Sequence, residues 1–375
     1  TQPAPCAFRS RPAWSAHRIC RRAICTDALR YLFSAPGRGM NVMLKKIGRI
    51  ALWVLGAAGA LLVAVILYNA SWFEPPHGAK RVNLLSHRGV HQVFAREGVG
   101  NDTCTADRIY PPTHDLIENT LPSMEAAFAA GADVVELDIH LTPDNVFAVM
   151  HDWTVDCRTD GKGVTEDLGI AYLKSLDIGY GYTADGGKTF PLRGKGVGMM
   201  PTLEDVLTRF PDKAFLINFK SRRPEEGDAL AALIKAHPEW RNAIWASYGG
   251  AEPTDRSIAL IAGLRGYSGR SMMKCLVDYE LTGWTGFVPS SCSNTIVVVP
   301  SNLAWAVWGW PHKFTKRMEA AGSSVILLGP FSSGDIGSTG IDSIDQISAI
   351  PDGFAGYVWT NRIELIGPEL RKQGR

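Results

Sequence analysis

"NTLPSMEAAFAAGADVVELDIH", Asn119 to His140, holds one helix and one strand, and its last seven residues decide the fold. The first half opens on Thr120, a good helix cap, carries Pro122 early and ends at Gly131. The second half leads with Val134 and Val135 and reads as a buried β-strand. Side chains alternate along a strand, so Glu136, Asp138 and His140 share one face while Leu137 and Ile139 share the other. Two carboxylates about 7 Å apart on an inward face cost free energy unless something neutralises them. A hard divalent cation, Mg²⁺ or Ca²⁺, would do so. A solvated strand, polar on one side, is the plainer alternative.

The neighbouring stretches favour the first reading. "RVNLLSHRG" (81–89) is an apolar strand ending in His87, Arg88 and Gly89, and "VFAVMHD" (146–152) is another ending in His151 and Asp152. Barrel enzymes build their sites by gathering ionisable groups at strand ends. Further strand-like stretches follow: "AFLINFK", "AIWAS", "TIVVVP", "SVILLG" and "GYVWT". Helical stretches separate many of them, among them "TLEDVLTRF" with a Thr202–Asp205 capping pattern, "PEEGDALAALIKAH" and "PHKFTKRMEAAG". Strands alternating with helices predict an α/β fold with a parallel sheet, and eight strands suit a (β/α)₈ TIM barrel. A doubly wound sheet is the alternative, but the Gly-rich signature of a dinucleotide binder is absent from the sequence.

The motifs "HRG" (87–89), "ENT" (118–120), "ELDIH" (136–140), "HD" (151–152) and "PTLEDVL" (201–207) occur in this order. Together they resemble the glycerophosphodiester phosphodiesterase family, clearly over residues 81 to 220. The resemblance implies a TIM barrel and metal-dependent hydrolysis of glycerophosphodiesters to sn-glycerol 3-phosphate and an alcohol. It implies His87 and His151 as paired acid and base, with Arg88 and Lys220 steadying phosphoryl charge. It implies Glu118, Glu136 and Asp138 as metal ligands. Where the family carries a Glu-x-Lys, this chain has Asn218 and Lys220, so the fourth ligand position holds an amide without charge. Two other functions stay open: lysophospholipase D-like hydrolysis of a lipid phosphodiester, and a catalytically weak phosphodiester-binding protein. His140 faces with the ligands and fits a position behind the metal better than one on it. His91 and His114 read as loop residues, and Asp152 as an orienter of His151 or a strand cap.

Ile50 to Ala70 is a run of 21 uncharged residues, long enough to cross a bilayer as a helix. Lys45, Lys46 and Arg49 flank its start, so the positive-inside rule places the N-terminus in the cytoplasm and the catalytic region outside, in the periplasm. A cleaved signal peptide is the rival, but the small residues Ala57, Ala58 and Ala60 lie inside the run instead of after it. The expected organisation is a basic, unfolded tail over 1–49, a signal anchor over 50–70, a linker over 71–80 and a phosphodiesterase barrel over 81–375. Residues 1–49 hold ten Lys and Arg against one acid, which leaves the remainder of this +2 chain at −7. A net-acidic domain is a poor nucleic-acid binder; the expected partners are a small or lipid-derived phosphodiester and the membrane.

Four of the seven Cys follow the anchor, an even number in an oxidising compartment. Four Cys allow three pairings, and Cys104–Cys157 with Cys275–Cys292, adjacent in chain order, are the expected disulfides. Two segments exceed a minimal barrel. One lies between "HRG" and "ENT" and contains Cys104. The other, "DIGYGYTADGGKTFPLRGKGVGMMP" (177–201), reads as a cover for the barrel mouth or as an ordered surface loop. Trp305, Trp308 and Trp310 fit packing roles better than a lipid-facing or substrate-facing border.

Overall fold

The computed structural model describes residues 38–77, 80–100, 102–332 and 338–375. The expected unfolded tail falls mostly on residues 1–37, with Cys6, Cys20 and Cys25, and lies outside them. The chain forms two compact units, one ending at Ala64 and one covering Val65–Arg375. Helix α1, Arg38–Asn69, is long and apolar enough to cross a membrane.

The second unit is a barrel. Its elements are β1 Asn83–His87, α2 Leu121–Ala130, β2 Val134–Leu141, β3 Phe147–Val149, α3 Ile170–Leu173, α4 Leu203–Arg209 and β4 Ala214–Phe219. There follow α5 Pro224–Ala236, β5 Ile244–Gly249, α6 Ala251–Leu260, β6 Arg265–Ser268, α7 Gly269–Thr282 and β7 Ile296–Pro300. The last are α8 His312–Ala320, β8 Ser324–Leu328, β9 Tyr357–Thr360 and α9 Ile363–Lys372. Eight parallel strands run in the order β6-β5-β4-β2-β1-β9-β8-β7. The ends of this order, β6 and β7, nearly close the ring, and Thr295 Oγ1 donates across the seam to Gly266 O at 2.8 Å.

Two strand expectations change. "FAVMH" is not a barrel strand: β3 turns back antiparallel on β2. The missing barrel strand is β6, "RGYS", too short and too polar to stand out as an apolar run. The helix signals hold better. Thr120 accepts from Ser123 N, Gly131 closes α2 with φ 110°, and Thr202 and Asp205 form a reciprocal capping box on α4.

Every residue of β2 is buried, so the solvated-face alternative fails. Val135, Leu137 and Ile139 pack outward against the helix layer. Val134 points inward with Leu85, Leu216, Ala246 and Trp359 into an apolar layer inside the ring. Alternation then puts the next inward residues toward the strands' C-terminal ends: His87, Glu136, Asn218, Tyr248 and Asn361 one step on, and Asp138 and Lys220 two steps on. The barrel thus has a dry lower layer and an ionisable upper one.

Both expected disulfides form, Cys104–Cys157 and Cys275–Cys292, with Cα atoms 5.9 and 4.8 Å apart. Segment 177–201 contributes Ile178, Tyr182, Leu192 and Met200 to a satellite core with Ile109, Ile117 and Val155. The linker is docked at its start. Ser71 Oγ donates to Gly309 O at 3.0 Å and accepts from His312 N at 2.7 Å.

Candidate active site

Backbone strain marks the centre of the site. Arg88 and Asn119 both hold left-handed φ values, 57° and 58°, uncommon for non-glycine residues. The two turns lock together: Asn119 N donates to Arg88 O at 3.1 Å, and Arg88 N donates to Glu136 O at 3.1 Å. Gly89 follows with φ 77°, and a Cβ there would lie 2.3 Å from Ser123 Oγ. Only glycine fits, which gives a physical reason for the third residue of "HRG".

The two histidines are oriented from behind. Asn361 Nδ2 donates to Asp342 Oδ2 (2.8 Å), so its Oδ1 is left to accept from His87 Nδ1–H at 2.6 Å. That tautomer leaves His87 Nε2 as an acceptor, facing Arg88 Nε at 3.1 Å. His151 Nδ1–H donates to Asp152 Oδ1 at 2.8 Å. Arg158 in turn holds Asp152 through its Nε, at 3.0 Å from Oδ2. Burial and then the Arg88 charge lower both imidazoles, that of His151 to about 4. Both are neutral at physiological pH while the site holds no anion.

The carboxylates are unevenly compensated. Glu118 Oε1 meets Arg88 Nη1 and its Oε2 meets Arg158 Nη1, each at 3.0 Å. Burial opposes its ionisation, but the two guanidinium groups outweigh it and lower Glu118 to about 2. Asp138 receives Asn119 Nδ2 at 2.9 Å and Asn218 Nδ2 at 2.8 Å, with Lys220 Nζ 3.6 Å away. Its burial is likewise overcome, by Lys220 and Arg88, and its pKa is lowered. Glu136 differs. Burial and the charge of Asp138 push it up to about 8, although Tyr248 Oη donates to it at 2.7 Å.

A divalent cation suits this imbalance. The oxygens of Glu136 and Asp138 are hard donors, and the neighbours of Glu136 do not compensate the charge it would carry when ionised, so it stays largely protonated until a cation does. The fit extends to these two carboxylates. Among the described residues, no three His, Cys, Asp or Glu groups converge closely enough to enclose an ion. Glu118 is engaged by two guanidinium groups. Asn218 turns its amide N–H groups, not its carbonyl oxygen, toward Asp138 and Tyr248. His140 is fully buried but faces Glu166 Oε1 at 3.1 Å and the His151 carbonyl at 3.4 Å.

His87, Arg88 and His151 line a cleft of about 520 Å³. Its walls come from the segment after "HRG", with Phe94, Arg96 and Val99, and from the loop after β8, with Phe331. Cys104–Cys157 pins the first wall, while segment 177–201 does not line this cleft. His91 is buried, its ring centroid 6.0 Å from that of His87, so it is no ordinary loop residue.

Sequence reasoning missed Arg158, Tyr248, Asn361 and Asp342. Strand alternation could have flagged Tyr248, two residues beyond the inward Ala246. Arg158 lies in a loop without periodicity, and nothing local distinguishes it.

Residues 87–237 match the glycerophosphoryl diester phosphodiesterase family. A glycerophosphodiester phosphodiesterase from Bacillus subtilis (strain 168) is 34% identical over 184 residues, covering 48% of this chain and 57% of that protein. A lysophospholipase D from Homo sapiens is 31% identical over 141 residues, covering 36% of this chain and 41% of that protein. The glycerophosphoryl diester phosphodiesterase domain of a Mycobacterium tuberculosis protein shares the fold, with TM-score 0.53 at 16% identity over 77% of this chain and 98% of that one. The matched stretches span 39% to 57% of the first two curated relatives.

Proposed function

The chain belongs to the glycerophosphodiester phosphodiesterase family, and from that premise we propose that its barrel hydrolyses glycerophosphodiesters to sn-glycerol 3-phosphate and an alcohol. One observation carries this reading beyond the family. His87 and His151 are both neutral, both fixed through Nδ1, and both line one cleft with Arg88. That is the arrangement an acid–base pair needs around a phosphoryl group.

The phosphodiester anion binds against Arg88, whose charge otherwise depresses both histidines, and Lys220, whose charge depresses His151. Its own negative charge offsets theirs, so binding raises both imidazole pKa values toward neutrality. His87 Nε2, whose partner Asn361 is neutral, takes a proton from the attacking water, whose oxygen bonds to phosphorus as the P–O bond to the alcohol breaks. His151, with the Asp152 carboxylate behind it to stabilise an imidazolium, takes up a proton at Nε2 once the bound anion has raised its pKa, and it gives that proton to the leaving alkoxide. Arg88 compensates charge as it builds on the phosphoryl oxygens. A divalent cation held by Glu136 and Asp138 would polarise a phosphoryl oxygen and lower the pKa of a bound hydroxyl.

Residues 50–70 anchor the chain, with Lys45, Lys46 and Arg49 on the cytoplasmic side and the barrel in the periplasm. The two disulfides support an oxidising compartment.

Lipid-phosphodiester hydrolysis is a second reading, favoured by the apolar side chains Phe94, Val99 and Phe331 in the cleft walls. Product analysis on a panel of glycerophosphocholine, lysophosphatidylcholine and glycerophosphoglycerol, with Mg²⁺, Ca²⁺ or a chelator, tests both. Phosphocholine with glycerol as products would overturn cleavage to sn-glycerol 3-phosphate, and no turnover of any substrate under any condition would sink the hydrolase reading. The second result would leave the phosphodiester-binding alternative.

A further inference from the structure

Several large apolar side chains of the barrel unit face solvent along one path. Phe331 lines the active-site cleft and is 47% exposed. Asn302 clasps its backbone, donating to Phe331 O at 2.9 Å and accepting from Phe331 N at 2.8 Å. Leu303, next in sequence, is 45% exposed, and Trp305, two residues on, is 81% exposed. Trp305 then shares a groove of about 630 Å³ with Trp72, itself 75% exposed. The strip therefore runs from the mouth of the cleft to the residues just after helix α1.

It is held rigidly in this outward position. Tyr279 Oη donates to Trp308 O at 2.9 Å, and Trp308 Nε1 donates to Glu280 O at 3.0 Å. Trp308 and Trp310 pack against the main core, while Trp305 faces away from it. Among the described residues the indole N–H of Trp305 has no acceptor. A rigid loop that exposes an indole in this way presents an apolar ring with one polar edge, the combination favoured at a bilayer–water interface.

The position of Trp72 identifies the occupant. The uncharged run Ile50–Ala70 has 21 residues. As a helix it spans about 31 Å, close to the roughly 30 Å of a hydrocarbon core. Its end near Ala70 then falls at the edge of the apolar layer, and Trp72 follows within the head-group zone. Trp305, in the same groove as Trp72, lies at a similar depth.

We propose that the strip Phe331–Leu303–Trp305–Trp72 is a second membrane contact, which rests the barrel on the bilayer surface and brings the mouth of the cleft to the lipid head groups. This contact rests on the reading of residues 50–70 as an anchor. It does not depend on the chemistry of the cleft, because lipid contact is read independently of turnover. If the cleft also hydrolyses lipid-borne phosphodiesters, the strip is the surface along which an acyl chain would lie.

The test uses the full chain reconstituted in phosphatidylcholine vesicles, with some lipids brominated at shallow acyl positions. The emission of Trp305 is taken as the difference between wild type and Trp305→Phe. The expected result is retention in the vesicles after alkaline carbonate, quenching of the Trp305 signal by brominated lipid, and protection from aqueous iodide. Retention with strong iodide quenching would overturn the contact and leave the anchor standing. Protection from both quenchers would mean a protein partner, such as a second copy, and would also overturn it. Release by carbonate would overturn the anchor and the contact together. If the wild type turns over vesicle-borne lysophosphatidylcholine, a second variant, Leu303→Ser/Trp305→Ser, should lose about tenfold in that turnover while keeping its rate on water-soluble glycerophosphocholine. An equal loss on both substrates would count against the proposal.

Discussion

Divalent-cation binding should be tied to one proton, and Glu136 names it. Burial beside the Asp138 carboxylate pushes Glu136 up to about 8, so at lower pH the site without metal holds a neutral acid there. A cation must displace that proton before both oxygens can serve as ligands. At pH 8 about half of the sites carry ionised Glu136, and at pH 6 about one in a hundred. Affinity should therefore fall roughly 50-fold from pH 8 to pH 6, about 2 kcal/mol. An ordinary exposed carboxylate is ionised throughout this range and would give no slope. The linkage also sets the stability of the metal-free protein. A raised carboxyl pKa means that the folded state holds a proton the unfolded chain releases, so stability declines as pH rises from the ordinary Glu range toward 8. Isothermal titration of Mg²⁺ or Ca²⁺ in buffers of different ionisation enthalpy counts the protons. Release should approach one per ion at pH 6 and about one half at pH 8. Glu136→Gln should abolish both the binding and its pH dependence. An affinity that is flat from pH 6 to 8 with no proton release would refute the assignment of Glu136.

Other outcomes follow from the same contacts. His151→Ala should lower kcat on natural diesters by ~10²-fold or more, and a p-nitrophenyl leaving group should restore most of the loss because it needs no proton. His87→Ala should show a similar loss without that rescue; rescue of both variants, or of neither, would reject the division of roles. Arg158→Met leaves Glu118 and Asp152 short of a buried partner and should cost about 3–5 kcal/mol. Thermal unfolding should show a fall in Tm on the order of 10 °C, and an unchanged Tm would contradict the network. Asn218→Glu removes an N–H donor from Asp138 and adds a charge beside it. Without metal it should lower Tm, and with Mg²⁺ it should bind more tightly than wild type. Titration showing equal affinity would place Asn218 outside the ion's reach.

Much of this site is legible because strand periodicity is rigid. Once "VVELDIH" is a strand with Val134 inward, Glu136 and Asp138 must follow it into the ring, and "AFLINFK" brings Asn218 and Lys220 by the same rule. The motif residues Arg88, Gly89 and Asn119 are explained by the two left-handed turns that lock together, a geometry the sequence hints at through glycine alone. What stayed hidden came from chain segments far apart. Asn361 meets His87 across 274 positions, and Tyr248 meets Glu136 across 112. No local pattern announces such pairs. The exchange of β3 for β6 has a similar origin. "FAVMH" is apolar because it backs onto β2, and "RGYS" gives no apolar run because its four residues, though mostly buried, include a glycine and a serine. The charge on Arg158 gave no signal either, since a buried Arg and a solvated one look alike in sequence.

The central claim is that His87 and His151 act together on a glycerophosphodiester bound against Arg88. A ³¹P NMR time course of the full chain with glycerophosphocholine and Mg²⁺ tests it most directly, run beside His87→Ala and His151→Ala. The account predicts conversion of the diester resonance into that of sn-glycerol 3-phosphate, with release of choline, in the wild type, and near-total loss of that conversion in both variants. A wild type that leaves the diester intact, or a variant that converts it at the wild-type rate, would contradict it.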